Sequence, residues 1–332
     1  MNALILGGAG YIGSHAVKAL LERGHSAVVV DTLENGHRAA VDKNAVFYRG
    51  DLRDETLMDK VFTENKIDAA IDFAAYTVVA ESVADPLKYY ENNVYGILRL
   101  LRSMFKHKVT KLVFSSTASV YGIPDRVPVT ETDKTEPINP YGETKLAVEK
   151  ILKWADKAYG LKYISLRYFN VAGAHASAEI GEDHFPETHL IPNVIGAALG
   201  RLPELELYGG DYKTPDGTCV RDYVHVSDLA EAHALAVENL ARGSGSDIYN
   251  LGSGAGFSNM EIINETERAA GVRIKINNAP RRQGDPDVLI ASSDKISRAL
   301  GWEPKLTNIR DIIGSAYRWH EKHPSGYGDR QT

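Results

Sequence analysis

The chain has 332 residues, 43% hydrophobic and 25% charged, an ordinary globular balance with room for one large domain or two smaller ones. Its 44 acidic against 38 basic side chains leave a net charge of −6, which argues against a nucleic-acid partner and the basic face it requires. The one cysteine, Cys219, excludes an intrachain disulfide framework, and no apolar run approaches the roughly 20 residues of a membrane span. The opening "MNALILGGAGYIGSH" also lacks the basic start and small-residue cleavage site of a signal peptide, so a cytoplasmic protein with no membrane partner is expected.

From the N-terminus, short apolar runs alternate with amphipathic stretches. "NALILG", "SAVVVD", "AVFYRGD", "DAAIDFA", "KLVFSS" and "KYISLRYFN" read as strands; "YIGSHAVKALLERG" and "PLKYYENNVYGILRLLRSMFKH" read as helices between them. This alternation predicts βαβ units with right-handed crossovers and a parallel sheet covered on both faces. The expected class is therefore α/β, a Rossmann-type doubly wound sheet over residues 1–170. After Asn170 the rhythm loosens. A loop-like stretch, "VAGAHASAEIGEDHFPETH", leads to a helix near Leu190; "LELYGG" and "VRIKIN" are strand candidates, and "VSDLAEAHALAVENLARG" and "LTNIRDIIGSAYRWHEKH" are helices. Residues 171–332 are expected to form mainly a smaller C-terminal α/β substrate domain, with some segments returning to the first. His175, His184 and His189 fall in the loop without zinc-like spacing, and no metal site is expected there.

Gly7, Gly10 and Gly13 form G-x-x-G-x-x-G between the first strand and the first helix. Glycines there let backbone N–H groups approach a pyrophosphate at the helix N-terminus, although many tight strand–helix turns use glycine for bending alone. Asp31 closes the next strand, about where an acid takes the ribose hydroxyls of NAD and repels the 2′-phosphate of NADP. Asp51, after the third strand, reads either as an adenine contact or as a strand-end cap.

Asn139-Pro140 marks a helix entrance, after which Tyr141 and Lys145 share one face with a rise of about 6 Å between them. A phenol near pKa ~10 is a poor base at neutral pH; a nearby ammonium and a cationic nicotinamide would both favour phenolate. Tyr-x-x-x-Lys alone is common on helix surfaces. Its weight comes from "LVFSSTASVYG", where Ser115, Ser116 and Thr117 end a strand at the usual ligand edge of an open α/β sheet. Thr117 there is suited to share a substrate hydroxyl with Tyr141. Further on, Arg221 and Arg282 offer guanidinium groups suited to a diphosphate, or else to structural ion pairs.

Together with "GDLRD", "ESVADPLKYYENNVYG", "RYFNVAGA", "DGTCVRDYVHVSDLA" and "RRQGDP", these motifs resemble the extended short-chain dehydrogenase/reductase superfamily along nearly the whole chain, and within it the sugar-nucleotide 4-epimerases. The resemblance implies reversible C4 epimerisation of UDP-galactose and UDP-glucose through a transient 4-keto sugar with tightly bound NAD, in a homodimer. It implies Tyr141 as acid/base, Thr117 as its partner, and Lys145 as the group that tunes the phenol and holds the nicotinamide ribose. Further cofactor contacts are implied for Tyr11, Ile12, Asn35 and Leu52, for Phe73, Ala74 and Ala75 after the fourth strand, and for Asn92, Ser115 and Phe169. On the substrate side it implies Asn170 on phosphate or sugar, Tyr208 along the uracil, Arg221 and Arg282 on the diphosphate, and Asp285 near the uridine ribose. His189 and Leu190 follow as substrate contacts, and Leu289 as a wall whose size sets acceptance of N-acetylated UDP-sugars.

Three positions depart from the family pattern: Asp72 replaces the histidine of its "HFA" segment, Thr77 stands where some members carry lysine, and His189 stands where some members have asparagine. Two other functions fit parts of the sequence. A nucleotide-sugar 4,6-dehydratase shares the nucleotide end but commonly carries Asp-Glu after the threonine, where this chain has Ala118 and Ser119. A non-catalytic NAD sensor would be expected to lose Tyr141 or Lys145.

Overall fold

The structure, a computed structural model, describes residues 1–282 and 284–329. Its first half builds as its periodicity dictates. β1 (Asn2–Leu6), β2 (Ser26–Asp31), β3 (Val46–Arg49), β4 (Ala69–Asp72), β5 (Lys111–Thr117) and β6 (Lys162–Tyr168) all pair in parallel. Side chains alternate across each strand, so one sheet feeds two cores. Ala3, Ile5, Val29 and Ile71 meet Val17 and Leu20 of α1 (Tyr11–Glu22) on one face. Leu4, Leu6, Val28 and Ala70 meet Met58 and Val61 of α2 (Glu55–Glu64) on the other.

One helical stretch departs from its sequence pattern. After α3 (Val79–Ala84), the residues from Pro86 form α4 (Pro86–Tyr89), a π-helical stretch over Tyr90–Tyr95, and α5 (Gly96–Lys106). The wider turn aims Asn93 inward: its side chain accepts from Tyr76 N at 2.9 Å and donates to Tyr76 O at 3.0 Å and Thr144 Oγ1 at 3.2 Å. α6 (Pro140–Tyr159) begins as its residues predict. Asn139 accepts from Gly142 N at 2.8 Å, Pro140 takes the first helical position, and Gly160 closes the helix in the left-handed region.

The second half continues with β7 (Asn170–Ala172), α7 (Leu190–Ala198), β8 (Leu205–Tyr208), β9 (Val220–His225), α8 (Val226–Ala241) and β10 (Asp247–Leu251). It ends with β11 (Gly256–Ser258), α9 (Asn259–Ala270), β12 (Ile276–Ala279), β13 (Val288–Leu289), α10 (Asp294–Leu300) and α11 (Ile309–Lys322). β10 returns to the large sheet beside β6, giving the order β10-β6-β5-β4-β1-β2-β3. β9 is the hub of a small sheet, parallel to β7 and β13 and antiparallel to β11, while β8 and β12 pair separately. Ile195, Ile263 and Ile313 join α7, α9 and α11 in a core of their own.

Two strands differ from the sequence expectation. "VRIKIN" enters the sheet only at Ile276, because Gly271 ends α9 and Glu267 then captures Ile274 N at 2.8 Å, holding the residues between as a turn. β9 carries buried charge in mid-strand and so hides its character from a hydrophobicity reading. In the large sheet the order reverses at β1, whose neighbours β2 and β4 lead in opposite directions. The carboxyl ends of β1, β4 and β5 therefore open a crevice, the usual ligand position in such sheets.

Candidate active site

Leaving β1, the chain turns at Gly7 with φ +73°, where a Cβ would lie 2.8 Å from Ala74 N. At Gly13 a Cβ would lie 2.1 Å from Gly7 O, so α1 packs on the turn only because that atom is missing. Gly10 differs: its nearest neighbour would be Gly7 O at 3.4 Å, so the fold itself does not demand glycine there. Its bareness leaves the start of α1 open to an outside group. The first intrahelical bond is Ser14 N to Gly10 O at 2.9 Å, which leaves the amides of Tyr11, Ile12 and Gly13 without helical acceptors. That is the donor set a pyrophosphate needs.

Asp31, half-buried at the end of β2, accepts Ala9 N at 2.9 Å on one oxygen and Leu33 N at 2.8 Å on the other. Burial pushes its carboxyl up, and these two amides work against that shift. Each oxygen keeps a lone pair for a ribose hydroxyl, so the turn and the acid together fit a dinucleotide. Asn35 lies exposed beyond it. Asp51 is engaged by Arg53, which reaches it at 2.6 Å through Nη2 and also donates its amide at 2.7 Å. Burial alone would raise Asp51, and the Arg53 contacts more than offset it. Leu52 beside it joins the second core. Phe73, Ala74 and Ala75 leave β4 at the same edge, starting with Phe73 N to Leu6 O at 2.9 Å, and Asn92 donates to Asn93 Oδ1 at 3.1 Å in the π turn.

At the end of β5, the Thr117 hydroxyl accepts Ser119 N at 3.1 Å and lies beside the Tyr141 phenol. Tyr141 is buried, and its phenol is pushed up to about 12 by that burial, with the neighbouring Thr117 hydroxyl pulling the other way. Lys145 is also buried. Its ammonium donates to Ser115 O at 2.8 Å, lies 4.9 Å over the Phe114 ring, and is held down at about 8 by burial, against the attraction of Asp72. The sequence suggested an ammonium that lowers the phenol. In the folded chain the Lys145 ammonium donates to Ser115 and feels the Asp72 charge, and desolvation governs Tyr141.

Asp72 is the group sequence reasoning noticed without giving it a role. It is buried, accepts Ala74 N at 3.1 Å, and is raised by desolvation to about 6, with Lys145 opposing the shift. Its departure from the usual histidine was the available signal. Thr77 is exposed. Beneath Thr117 lies a buried network that no local pattern announces. Arg167 donates to Glu149 at 2.6 and 2.9 Å and to Tyr121 at 2.9 Å; Ser116 donates to Glu149 at 2.6 Å, and Tyr121 to Asn250 at 2.6 Å. It ties β5, β6, α6 and β10 together directly below the strand ends.

The second group of candidates lies on the small sheet. Asn170 pairs in register with Tyr223 of β9, and Leu289 with Arg221 of the same strand. The Arg221 guanidinium donates to Asp285 at 2.7 Å and to Val220 O at 2.8 Å, and Asp285 accepts also from the Tyr212 hydroxyl at 3.1 Å. Arg282, exposed, stacks 4.3 Å over the Tyr208 ring. Leu289 packs with Ala118, Leu146 and Phe169, which links this sheet to the Thr117 edge. Leu190 opens α7, but the His189 imidazole before it turns to Glu182 at 2.5 Å, joining His184 and Glu187 in a cluster the sequence reading did not assemble.

A family model described as "NAD dependent epimerase/dehydratase family" matches residues 3–252. A UDP-glucose 4-epimerase of Lacticaseibacillus casei is 54% identical over 330 residues, covering 99% of this chain and 100% of that protein. A crystal structure of a UDP-glucose 4-epimerase superposes with a TM-score of 0.97 at 52% identity, covering 99% of this chain and 100% of its own. Another, from Bifidobacterium longum in complex with NAD+ and UDP, has a TM-score of 0.93 at 42% identity, covering 98% of this chain and 100% of that chain.

Proposed function

The chain belongs to the NAD dependent epimerase/dehydratase family, and on that premise we infer that it interconverts UDP-galactose and UDP-glucose at C4, with NAD as cofactor. The observation that carries the reading is the buried Tyr141 phenol set beside the Thr117 hydroxyl at the sheet edge. It joins a hydroxyl relay to an acid/base group beside a glycine turn fitted to a dinucleotide.

When bound, NAD supplies the acceptor and donor for the C4 hydrogen and brings a positive charge that the chain itself does not provide. Gly10, the amides of Tyr11 and Ile12, and Asp31 hold its pyrophosphate and ribose. Tyr141 accepts the proton of the sugar 4-hydroxyl, aligned by Thr117, and returns it after the 4-keto sugar has turned over. Bringing the phenol from about 12 to near 7 requires roughly 7 kcal/mol of differential stabilisation, more than Lys145, whose ammonium donates to Ser115 O, supplies alone. Tyr208, Arg221, Arg282 and Asp285 grip the uridine diphosphate, while Asn170 and Leu289 border the hexose. Such a division suits a reaction in which the nucleotide stays fixed and the sugar turns. Of the two other functions, the dehydratase lacks its Asp-Glu pair and the sensor is disfavoured by the retained Tyr141 and Lys145.

We place residues 1–170 in a cofactor-binding domain and 171–332 mainly in a substrate-binding one. We also propose a homodimer. Val83, Leu87, Tyr90 and Tyr95 around α4, with Trp154 and Tyr159 of α6, are all exposed and would be covered by the same helices of a second copy. No helix among the described residues is long and apolar enough to cross a membrane, which supports the cytoplasmic placement we propose. The test is incubation with UDP-galactose without added cofactor, followed by separation of the sugar nucleotides. UDP-glucose rising to a fixed ratio supports the reading. A 4-keto-6-deoxy product, or unchanged substrate even with added NAD, overturns it.

A further inference from the structure

Between β7 and α7 the chain gathers four side chains of ligand chemistry in the stretch "EDHFPETH". Glu182, His184, Glu187 and His189 place one ligand atom each within 4.8 Å of all the others. His189 Nδ1 lies 2.5 Å from Glu182 Oε1 and 3.8 Å from Glu187 Oε1; His184 Nδ1 lies 3.4 Å from Glu182 Oε1 and 3.7 Å from Glu187 Oε2. Both imidazoles thus present Nδ1 to both carboxylates, sharing Glu182 Oε1 and meeting Glu187 on its two different oxygens. Donors held about 2.0–2.1 Å from a tetrahedral cation stand roughly 3.3 Å apart. The two His184 separations, 3.4 Å to Glu182 and 3.7 Å to Glu187 Oε2, are within about half an ångström of that spacing. His189 must move off Glu182 to admit an ion, and Glu187 would ligate through Oε2, the oxygen its two amides leave open.

The cluster is also built from outside. The Glu187 carboxylate is oriented by the amides of Thr188 and His189, both at 2.8 Å on Oε1. Glu182 is buried. Its neighbours are pinned to the C-terminal turn, where Gly181 N donates to the Tyr327 hydroxyl at 3.0 Å and Tyr327 N donates to Asp183 at 3.0 Å. The His184 ring meets the Tyr11 ring edge-on at 6.3 Å, directly after the glycine turn. Support of this kind, which fixes ligand orientation before an ion arrives, accompanies metal sites.

We propose that Glu182, His184, Glu187 and His189 form a structural site for a divalent transition metal, zinc by its donor set. Two imidazoles disfavour magnesium and calcium, which take oxygen ligands. Two carboxylates balance a divalent charge while both imidazoles stay neutral. Four protein ligands close the coordination sphere, which is the mark of a structural rather than a catalytic zinc. The ion would clamp the loop that joins β7 to α7 against Tyr11, coupling the cofactor turn to the substrate side. It would also assign His189 to the metal rather than to the sugar.

The test uses the full chain, purified without chelator, with zinc counted by mass spectrometry and zinc affinity measured by competition with a chromophoric chelator. One zinc per chain is expected, with at least a ~100-fold weaker affinity in His184→Gln and Glu187→Gln. Cobalt(II) alone, added to the metal-stripped protein, should give the visible bands of a tetrahedral site in the parent chain and not in those variants. Circular dichroism establishes that each variant is folded. Added zinc should raise the unfolding temperature of the parent only. Absence of zinc and of the cobalt bands in the parent chain would overturn the site, as would equal zinc affinity in a folded His184→Gln variant. None of these readouts depends on epimerase turnover, so failure of the site and failure of the proposed activity are distinguishable.

Discussion

The two ends of the crevice solve opposite problems. At the catalytic end Tyr141 and Lys145 are only 8% and 3% exposed, and burial moves both away from their ordinary ionisation. At the sugar-nucleotide end Arg282 and Arg281 are exposed, Asp285 is half-buried, and the arginines rest on Tyr208 and Tyr212 rather than in a core. The dry end makes proton transfer expensive until the last component arrives. The wet end keeps Arg282 available for a diphosphate at little desolvation cost, whereas Arg221 beneath it is buried and already held by Asp285 at 2.7 Å. On the proposed function, timing follows from this difference, since the phenol would become a base only when the site is complete.

The comparison is broken most severely at the dry end. Tyr141→Phe should lower kcat by about 10²–10⁴-fold, the usual worth of a positioned acid/base, while bound NAD and UDP affinity persist. Rapid-quench turnover together with a UDP titration checks this split. At the sugar-nucleotide end, removing its buried cation in Arg221→Ala should raise KM for UDP-galactose by about 10–100-fold with a smaller change in kcat, as expected for loss of a charged hydrogen bond worth about 1.5–3 kcal/mol. Steady-state kinetics separates the two, and a kcat loss as large as that of Tyr141→Phe would merge the ends. Leu289→Tyr, where both ends meet, should lower use of UDP-N-acetylgalactosamine by about tenfold relative to UDP-galactose, the low end of the roughly 1–3 kcal/mol that one group in an apolar pocket is worth. Competition between the two substrates reads that ratio directly.

The smallest effect is on pH. Lys145 is held near 8, and the Asp72 carboxylate is what keeps its ammonium from falling further. Asp72 itself sits near 6 and is charged at pH 7. Asp72→Asn removes a favourable partner from a cation, so the Lys145 pKa must fall and the alkaline limb of the kcat profile must move to lower pH. An unchanged or upward-moving limb would show that the two groups do not act on one another.

How much of this was readable beforehand follows from what each residue depends on. Gly7, Gly13, Asp31 and the Asn139-Pro140 helix start answer to local rules of backbone and cap, and they fell where the sequence put them. β9 did not announce itself. Its "VRDYVH" becomes a strand only because Asp285 takes Arg221, while the amides of Ser253, Gly254 and Ala291 take the fully buried Asp222 at 2.7–3.1 Å. Those partners lie 31 to 69 residues away in sequence, beyond any local pattern. The same holds for Glu149 and Arg167, which look like solvated charges in the sequence and are a buried pair in the fold. The phenol is the subtlest case. Its i,i+4 ammonium was plain to see, but not that the ammonium would spend itself on Ser115 and Asp72.

The most direct test is therefore the ionisation of Tyr141 with and without cofactor, read as the ultraviolet difference between the parent chain and Tyr141→Phe across a pH titration. The account predicts a phenol that stays protonated past pH 10 in the NAD-free chain, in line with its position near 12, and that ionises close to neutrality once NAD is bound. A phenol that ionises near neutrality in both forms would contradict it, because the protein alone would then supply what is assigned here to the completed site.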